Sequence, residues 1–67
     1  MDLNEKLALS VSEVAQLLGI SKPTVYELIH REDFPSFQIG RRTLISRVRL
    51  AEWVEAQAKG GYANVNS

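Results

Sequence analysis

The chain reads as a mainly α domain with a small β-hairpin, and three observations predict it. Two helix-start signatures lie close together, Ser10-Val11-Ser12-Glu13 and Ile20-Ser21-Lys22-Pro23, with Gly19-Ile20-Ser21 as the only link between the apolar stripes they open. Two segments of strand character, Phe37-Gln38-Ile39 and Thr43-Leu44-Ile45, flank the turn-forming Gly40-Arg41-Arg42. A third apolar stripe follows Ser46. Two capped helices joined so tightly must pack at a steep angle, which defines a helix-turn-helix. The hairpin after them adds a wing. The predicted fold is a winged helix-turn-helix, three helices plus a two-stranded wing.

Each element has its own warrant. Residues 1–8 show no periodicity and are expected to form a flexible N-terminal arm. Ser10 can accept from the Glu13 amide while the Glu13 carboxylate reaches back to the amide of Ser10, and Leu9 and Val14 are placed to staple that end. Val11, Val14, Ala15 and Leu18 then follow at i, i+3, i+4 and i+7. Gly19 stops the helix in the left-handed conformation. Ser21 caps the second helix, with Pro23 in its first turn where a missing N–H removes no bond. Val25, Leu28 and Ile29 face inward, leaving Lys22, Thr24, Glu27, His30 and Arg31 outward. Phe34-Pro35 carries the chain into an extended segment. Phe37 and Ile39 alternate with Gln38 as in a half-buried strand. A hairpin alone is marginal, so it must lean on the helices. The third helix is expected from Arg47 to about Ala58, with Leu50, Trp53, Val54 and Gln57 inward and Gly60-Gly61 ending it. The domain is thus residues 9–59, followed by a flexible C-terminal tail, 60–67.

At 67 residues the chain is one domain at most. A chain of this size buries only about 60% of its unfolded surface, so the core is small. Without cysteine, neither a disulfide framework nor thiolate metal ligation is available. The first residues lack the apolar region of a signal peptide, and no apolar run approaches membrane-spanning length. The expected setting is cytoplasmic, in a bacterial or phage-encoded context, with no membrane partner.

The formal net charge is 0, but it is segregated. Residues 1–20 carry Asp2, Glu5 and Glu13 against Lys6, a net −2. Residues 21–49 carry Lys22, Arg31, Arg41, Arg42, Arg47 and Arg49 against Glu27, Glu32 and Asp33, a net +3. Residues 50–67 carry Lys59 against Glu52 and Glu55, a net −1. A patch matters more to a polyanionic partner than a total. By itself, this distribution also suits an ordinary solvated surface.

The string VSEVAQLLGISKPTVYELI, followed by FPSFQIGRRTLIS and LAEWV, resembles the excisionase family of small winged-helix proteins, including AlpA-like phage regulators. That family is related to the DNA-binding domain of MerR-type regulators. Within the string, Ala15, Gly19 and Val25 resemble the helix-turn-helix signature of bacterial repressors, and the likeness runs from about Leu9 to Ala58. Where many members carry a glycine after the second helix, this chain has Glu32-Asp33. The resemblance implies that the second helix enters the major groove of double-stranded DNA while the wing touches flanking backbone or minor groove.

The residues point the same way. A helix N-terminus offers free N–H groups and a positive dipole end to phosphate. The candidate recognition residues are Ser21, Lys22, Thr24, Tyr26, Glu27, His30 and Arg31. Lys22 is the first candidate for a base or phosphate contact, against the default of a solvated lysine. Thr24 could meet a base edge or thymine methyl, or its hydroxyl could be satisfied by Ser21. Tyr26 could donate to a phosphate, or pack half-buried against the wing. Glu27 could accept from cytosine, though pairing with Arg31 at i+4 is favoured. His30 has no second histidine or cysteine near it, so it reads as solvated or as a weak phosphate contact rather than a metal ligand. On the wing, Arg41 and Arg42 could enter a narrow minor groove or grip phosphate. Arg47 and Arg49 open the third helix, where cations oppose the dipole, and phosphate would justify them. Trp53 reads as core.

Three functions compete. The resemblance implies an excisionase, or recombination directionality factor, that binds and bends attachment-site DNA for an integrase or other recombinase of a phage or mobile element. A small transcriptional regulator binding promoter DNA would use the same surface. A winged-helix protein-interaction module is kept open by the neutral total charge and by Glu32-Asp33 beside the second helix. So small a domain makes few base contacts, so further copies of itself on DNA are expected. With one histidine, no cysteine, no phosphate-binding glycine loop and no room for a pocket, no catalytic residues, metal or cofactor are expected.

Overall fold

A computed structural model of the chain describes residues 6–61. Its elements are β1 (Ala8–Leu9), α1 (Val11–Leu18), α2 (Lys22–Ile29), β2 (Ser36–Ile39), β3 (Arg42–Ser46) and α3 (Arg47–Ala56), closed by a π-type turn over Gln57–Gly61. The strands form one antiparallel sheet in the order β1-β3-β2. Three helices and a hairpin wing make this a winged helix-turn-helix.

The helix ends follow the expected chemistry. Ser10 accepts from the Glu13 amide at 3.1 Å, and the Ser10 amide donates to Glu13 Oε1 at 2.9 Å, a complete capping box. Gly19 sits at φ 71°, and the amide of Ile20 donates to the Ala15 carbonyl at 3.0 Å, so a Schellman turn closes α1. Ser21 caps α2 through the Thr24 amide, and Ser46 caps α3 through the Arg49 amide.

The core lies where α1, α2 and α3 meet the inner face of the sheet. It comprises Leu9, Val11, Val14, Ala15, Val25, Phe34, Ile45 and Leu50, with Val14, Val25 and Ile45 wholly buried. Leu18, Ile20, Leu28, Ile29 and Trp53 pack around it. No polar side chain is buried among the described residues.

Several elements differ from the sequence reading. The expected loose arm is in part a strand: Leu9 pairs with Ile45 and Ala8 with Ser46, because both Leu9 and Ile45 must be buried. The Arg47 amide donates to the Leu7 carbonyl at 3.0 Å, and Arg47 Nε to the Lys6 carbonyl at 2.6 Å, which ties the segment down further. Residues 1–5, and 62–67 of the expected tail, lie outside the described residues.

The wing is turned over relative to expectation. Ser36 pairs with Ile45, so Ser36 and Gln38 share the inner face and Phe37 and Ile39 point outward. The α3 helix ends two residues early, at Ala56, and Gly60 and Gly61 belong to the wide turn rather than stopping a regular helix. Val54, read as inward, is 36% exposed because Leu50 and Trp53 already occupy the seam.

Candidate nucleic-acid interface

The start of α2 is presented to solvent. Ser21, Lys22, Thr24, Tyr26 and Glu27 are all exposed, while Val25 anchors the helix from behind. The hydroxyls of Ser21 and Thr24 lie 2.9 Å apart, so much of the Thr24 hydroxyl is used within the cap. What Thr24 has left to offer a groove is chiefly its methyl group.

The β2–β3 hairpin closes on a two-residue turn, Gly40-Arg41, between the paired Ile39 and Arg42. Gly40 has φ 62°, a conformation the first position of a tight hairpin turn requires and only glycine takes freely. Both arginines at this tip are exposed.

The fold then joins the two features. A cleft of about 290 Å³ is lined by Tyr26 of α2, Arg41, Arg42 and Thr43 of the wing, and Ser10, Val11 and Ser12 at the start of α1. Tyr26 is 54% exposed, so it is not packed away behind the wing. The Glu13 amide and carboxylate at the start of α1 are engaged in the capping box, so the two guanidinium groups and the phenol carry the cleft's attraction for an anion. An anionic oxygen suits this cleft. Ser12 and Thr43 were not legible as candidates, because only the fold places the start of α1 against the wing.

Other candidates are drawn elsewhere. Arg31 is bidentate on Asp33, at 2.9 and 3.0 Å. Trp53 Nε1 donates to the same carboxylate at 3.2 Å, and the Arg31 guanidinium lies 6.0 Å from the Trp53 ring centroid. The Arg31 hydrogen bond, followed by that of Trp53, holds the Asp33 carboxyl below its usual range. Phe34 meets Trp53 edge-on at 5.0 Å. This clasp fixes the chain between α2 and the wing through Asp33, so the aspartate of Glu32-Asp33 is built into the fold. The i+2 pairing is within reach because the chain has left the helix after His30, the C-cap.

Arg47 bonds the Lys6 carbonyl and lines an apolar groove between α1 and α3, with Leu17, Ala51 and Val54. Arg49 lies in a third depression with Glu32, Asp33, Glu52 and Trp53, 4.0 Å from the Glu52 carboxylate. The structure therefore brings Tyr26, Arg41 and Arg42 together but leaves Arg47 and Arg49 apart from them. His30 is exposed at the far end of α2. No group of three or more potential metal-binding side chains occurs among the described residues, and no helix among them is long and apolar enough to cross a membrane.

Fold and cleft define a winged helix-turn-helix protein. Residues 8–58 match the helix-turn-helix domain family, and the chain belongs to it. Among curated proteins it is similar to the uncharacterized protein YvgK of Bacillus subtilis (strain 168), 35% identical over 51 residues. That stretch is 76% of this chain but 17% of YvgK. It is also similar to two Mycobacterium tuberculosis proteins named as candidate DNA-binding proteins, MT0521 (strain CDC 1551 / Oshkosh) and Rv0500A (strain ATCC 25618 / H37Rv). Each is 48% identical over 33 residues, covering 49% of this chain and 42% of the relative. The chain thus spans less than half of the length of these relatives. No solved structure matches it significantly.

Proposed function

We propose that this chain is a non-catalytic domain that binds double-stranded DNA sequence-specifically, with α2 in the major groove and the β2–β3 wing against flanking backbone or minor groove. The observation that carries the reading is the cleft joining Tyr26 of α2 to Arg41 and Arg42 of the wing. A phosphate held there would register α2 in one groove and the hairpin tip in the next, whereas separate basic patches would not. The names of the mycobacterial relatives support the same partner. The net +3 over residues 21–49 supplies the long-range attraction that the neutral total hides.

The test is a titration of labelled random-sequence duplex at low salt, repeated as salt is raised. Affinity should fall steeply, since each phosphate contact releases condensed counterions. Absence of binding at low salt would overturn the reading and leave a protein-interaction module.

Within DNA binding, we place the chain as an excisionase of a mobile element that works beside a recombinase, with further copies assembling on neighbouring sites. The motif string through α1, α2 and the wing supports this. A promoter-binding regulator would use the same surface. Footprinting on DNA around the chain's own gene, with and without an integrase, separates the two: protection of an attachment site supports excision, and protection of a promoter supports regulation.

A further inference from the structure

Ile39 does nothing for the core. It is 62% exposed, on the outer face of β2, which is an edge strand of the sheet. Exposed apolar side chains on edge strands invite unwanted pairing and are commonly replaced by charge. Strand propensity does not require isoleucine here, since threonine is equally β-branched. Behind it, Phe37 and Leu44 stand directly opposite each other and cover one another in part, leaving Phe37 40% exposed and Leu44 half-buried. The most exposed apolar surface of the wing is therefore at its end, in the residue that precedes the turn.

Its neighbours define what it meets. Ile39 pairs with Arg42 in the last rung before Gly40-Arg41, so an aliphatic group and two guanidinium groups share one tip. No acidic residue occurs between Pro35 and Arg49. Arginines are drawn into narrow minor grooves by the enhanced negative potential there. Apolar side chains beside such cations press on the sugars and between base steps, unstacking them and bending the duplex.

We infer that Ile39 is an apolar wedge, carried by the arginine-tipped wing into the minor groove of bound DNA, where it holds the duplex bent. The inference rests on the proposed DNA binding and adds a residue and a mechanical role to it. The arginines supply the attraction, and Ile39 the displacement of a base step.

The test compares I39V with I39T, two variants of nearly equal shape that differ by a methyl against a hydroxyl. The probe is a short duplex of random sequence with a dye at each end, read for affinity, end-to-end energy transfer and salt dependence. I39V should bind and bend like the parent. I39T should bind about tenfold more weakly, as expected for loss of a buried aliphatic contact, and leave the duplex nearly straight. Both should keep the parent salt slope, since neither removes a charge, and both should keep its thermal midpoint. Equal bending and affinity for parent and I39T would overturn the wedge while leaving DNA binding intact. So would an I39T defect confined to cooperative loading of several copies, which would assign the tip to a protein contact. Failure of the parent chain to bind any duplex at low salt would instead overturn the underlying DNA reading.

Discussion

Lys22 and Thr24 sit exposed in the first turn of α2. The 2.9 Å approach of the Ser21 and Thr24 hydroxyls turns a question of chemistry into one of shape. If Thr24 reads the groove with its methyl, T24V should retain sequence preference and T24S should lose it. K22A should weaken a specific site by about 1–3 kcal/mol if Lys22 reads a base. Comparing specific with random duplex decides: equal losses on both would reduce Lys22 to a phosphate grip. At the opposite end of α2, Asp33 gathers Arg31 and Trp53. Glu13 is held low as well, first by the Ser10 amide and then by Lys6, which lies 2.9 Å away. A carboxylate whose folded pKa is depressed stabilises the fold above its unfolded pKa and loses that contribution as pH falls through the folded value. Thermal midpoints should therefore hold near neutrality and drop as pH passes below about 4. D33N should show a shallower drop than the parent.

The wing is a sheet rather than a bare hairpin. A two-stranded ribbon is marginal in water; here β1 pairs with Ile45 and Ser46 at the base of β3, and Arg47 bonds two carbonyls of the segment leading into β1. The cation at the start of α3, unfavourable by helix dipole, is thus accounted for by a structural bond to Lys6. The base of the wing is anchored to the core from behind, while the tip at Gly40-Arg41 extends beyond β1. At this scale Arg41 and Arg42 are expected to act on every duplex alike. Replacing either by alanine should lower affinity for random and specific DNA together and reduce the salt slope by about 1. An unchanged slope for both variants would remove the wing from the interface.

The molecule as a whole has little stability to spare. Among the described residues eight buried side chains form the core, and a domain this small rarely holds more than about 3–5 kcal/mol. Deleting a buried aliphatic side chain typically removes about 2–5 kcal/mol. I45A should therefore leave much of the chain unfolded at physiological temperature, because Ile45 is wholly buried and pairs with both neighbouring strands. Circular dichroism on heating measures it. The two charged faces follow from the same economy of size: Arg41 and Arg42 with Tyr26 line one cleft, while Arg49 is kept among Glu32, Asp33 and Glu52 on another. A neutral chain thereby presents one surface suited to a polyanion.

Local chemistry settled a good part of this protein from its sequence. Ser10, Glu13, Gly19, Ser21 and Ser46 bond with residues within a few positions, so their caps and turns were legible in advance. So were Val14, Val25 and Leu50 as core, since helical periodicity exposes one face. What depends on distant partners was not. The face of β2 is set by which residue of β3 it opposes, and a one-residue change of register exchanges inner and outer side chains. Phe37 and Ile39 accordingly read as the apolar side of a half-buried strand in isolation and stand outward in the fold. The strand at Ala8–Leu9 exists only because Ile45, far along the chain, offers it an edge. The clasp of Arg31 and Trp53 on Asp33 needed the third helix to be brought beside the end of the second. The meeting of Tyr26, Ser12 and the wing arginines in one cleft likewise belongs to tertiary structure alone, because no local interaction brings the start of α1 to the tip of the hairpin.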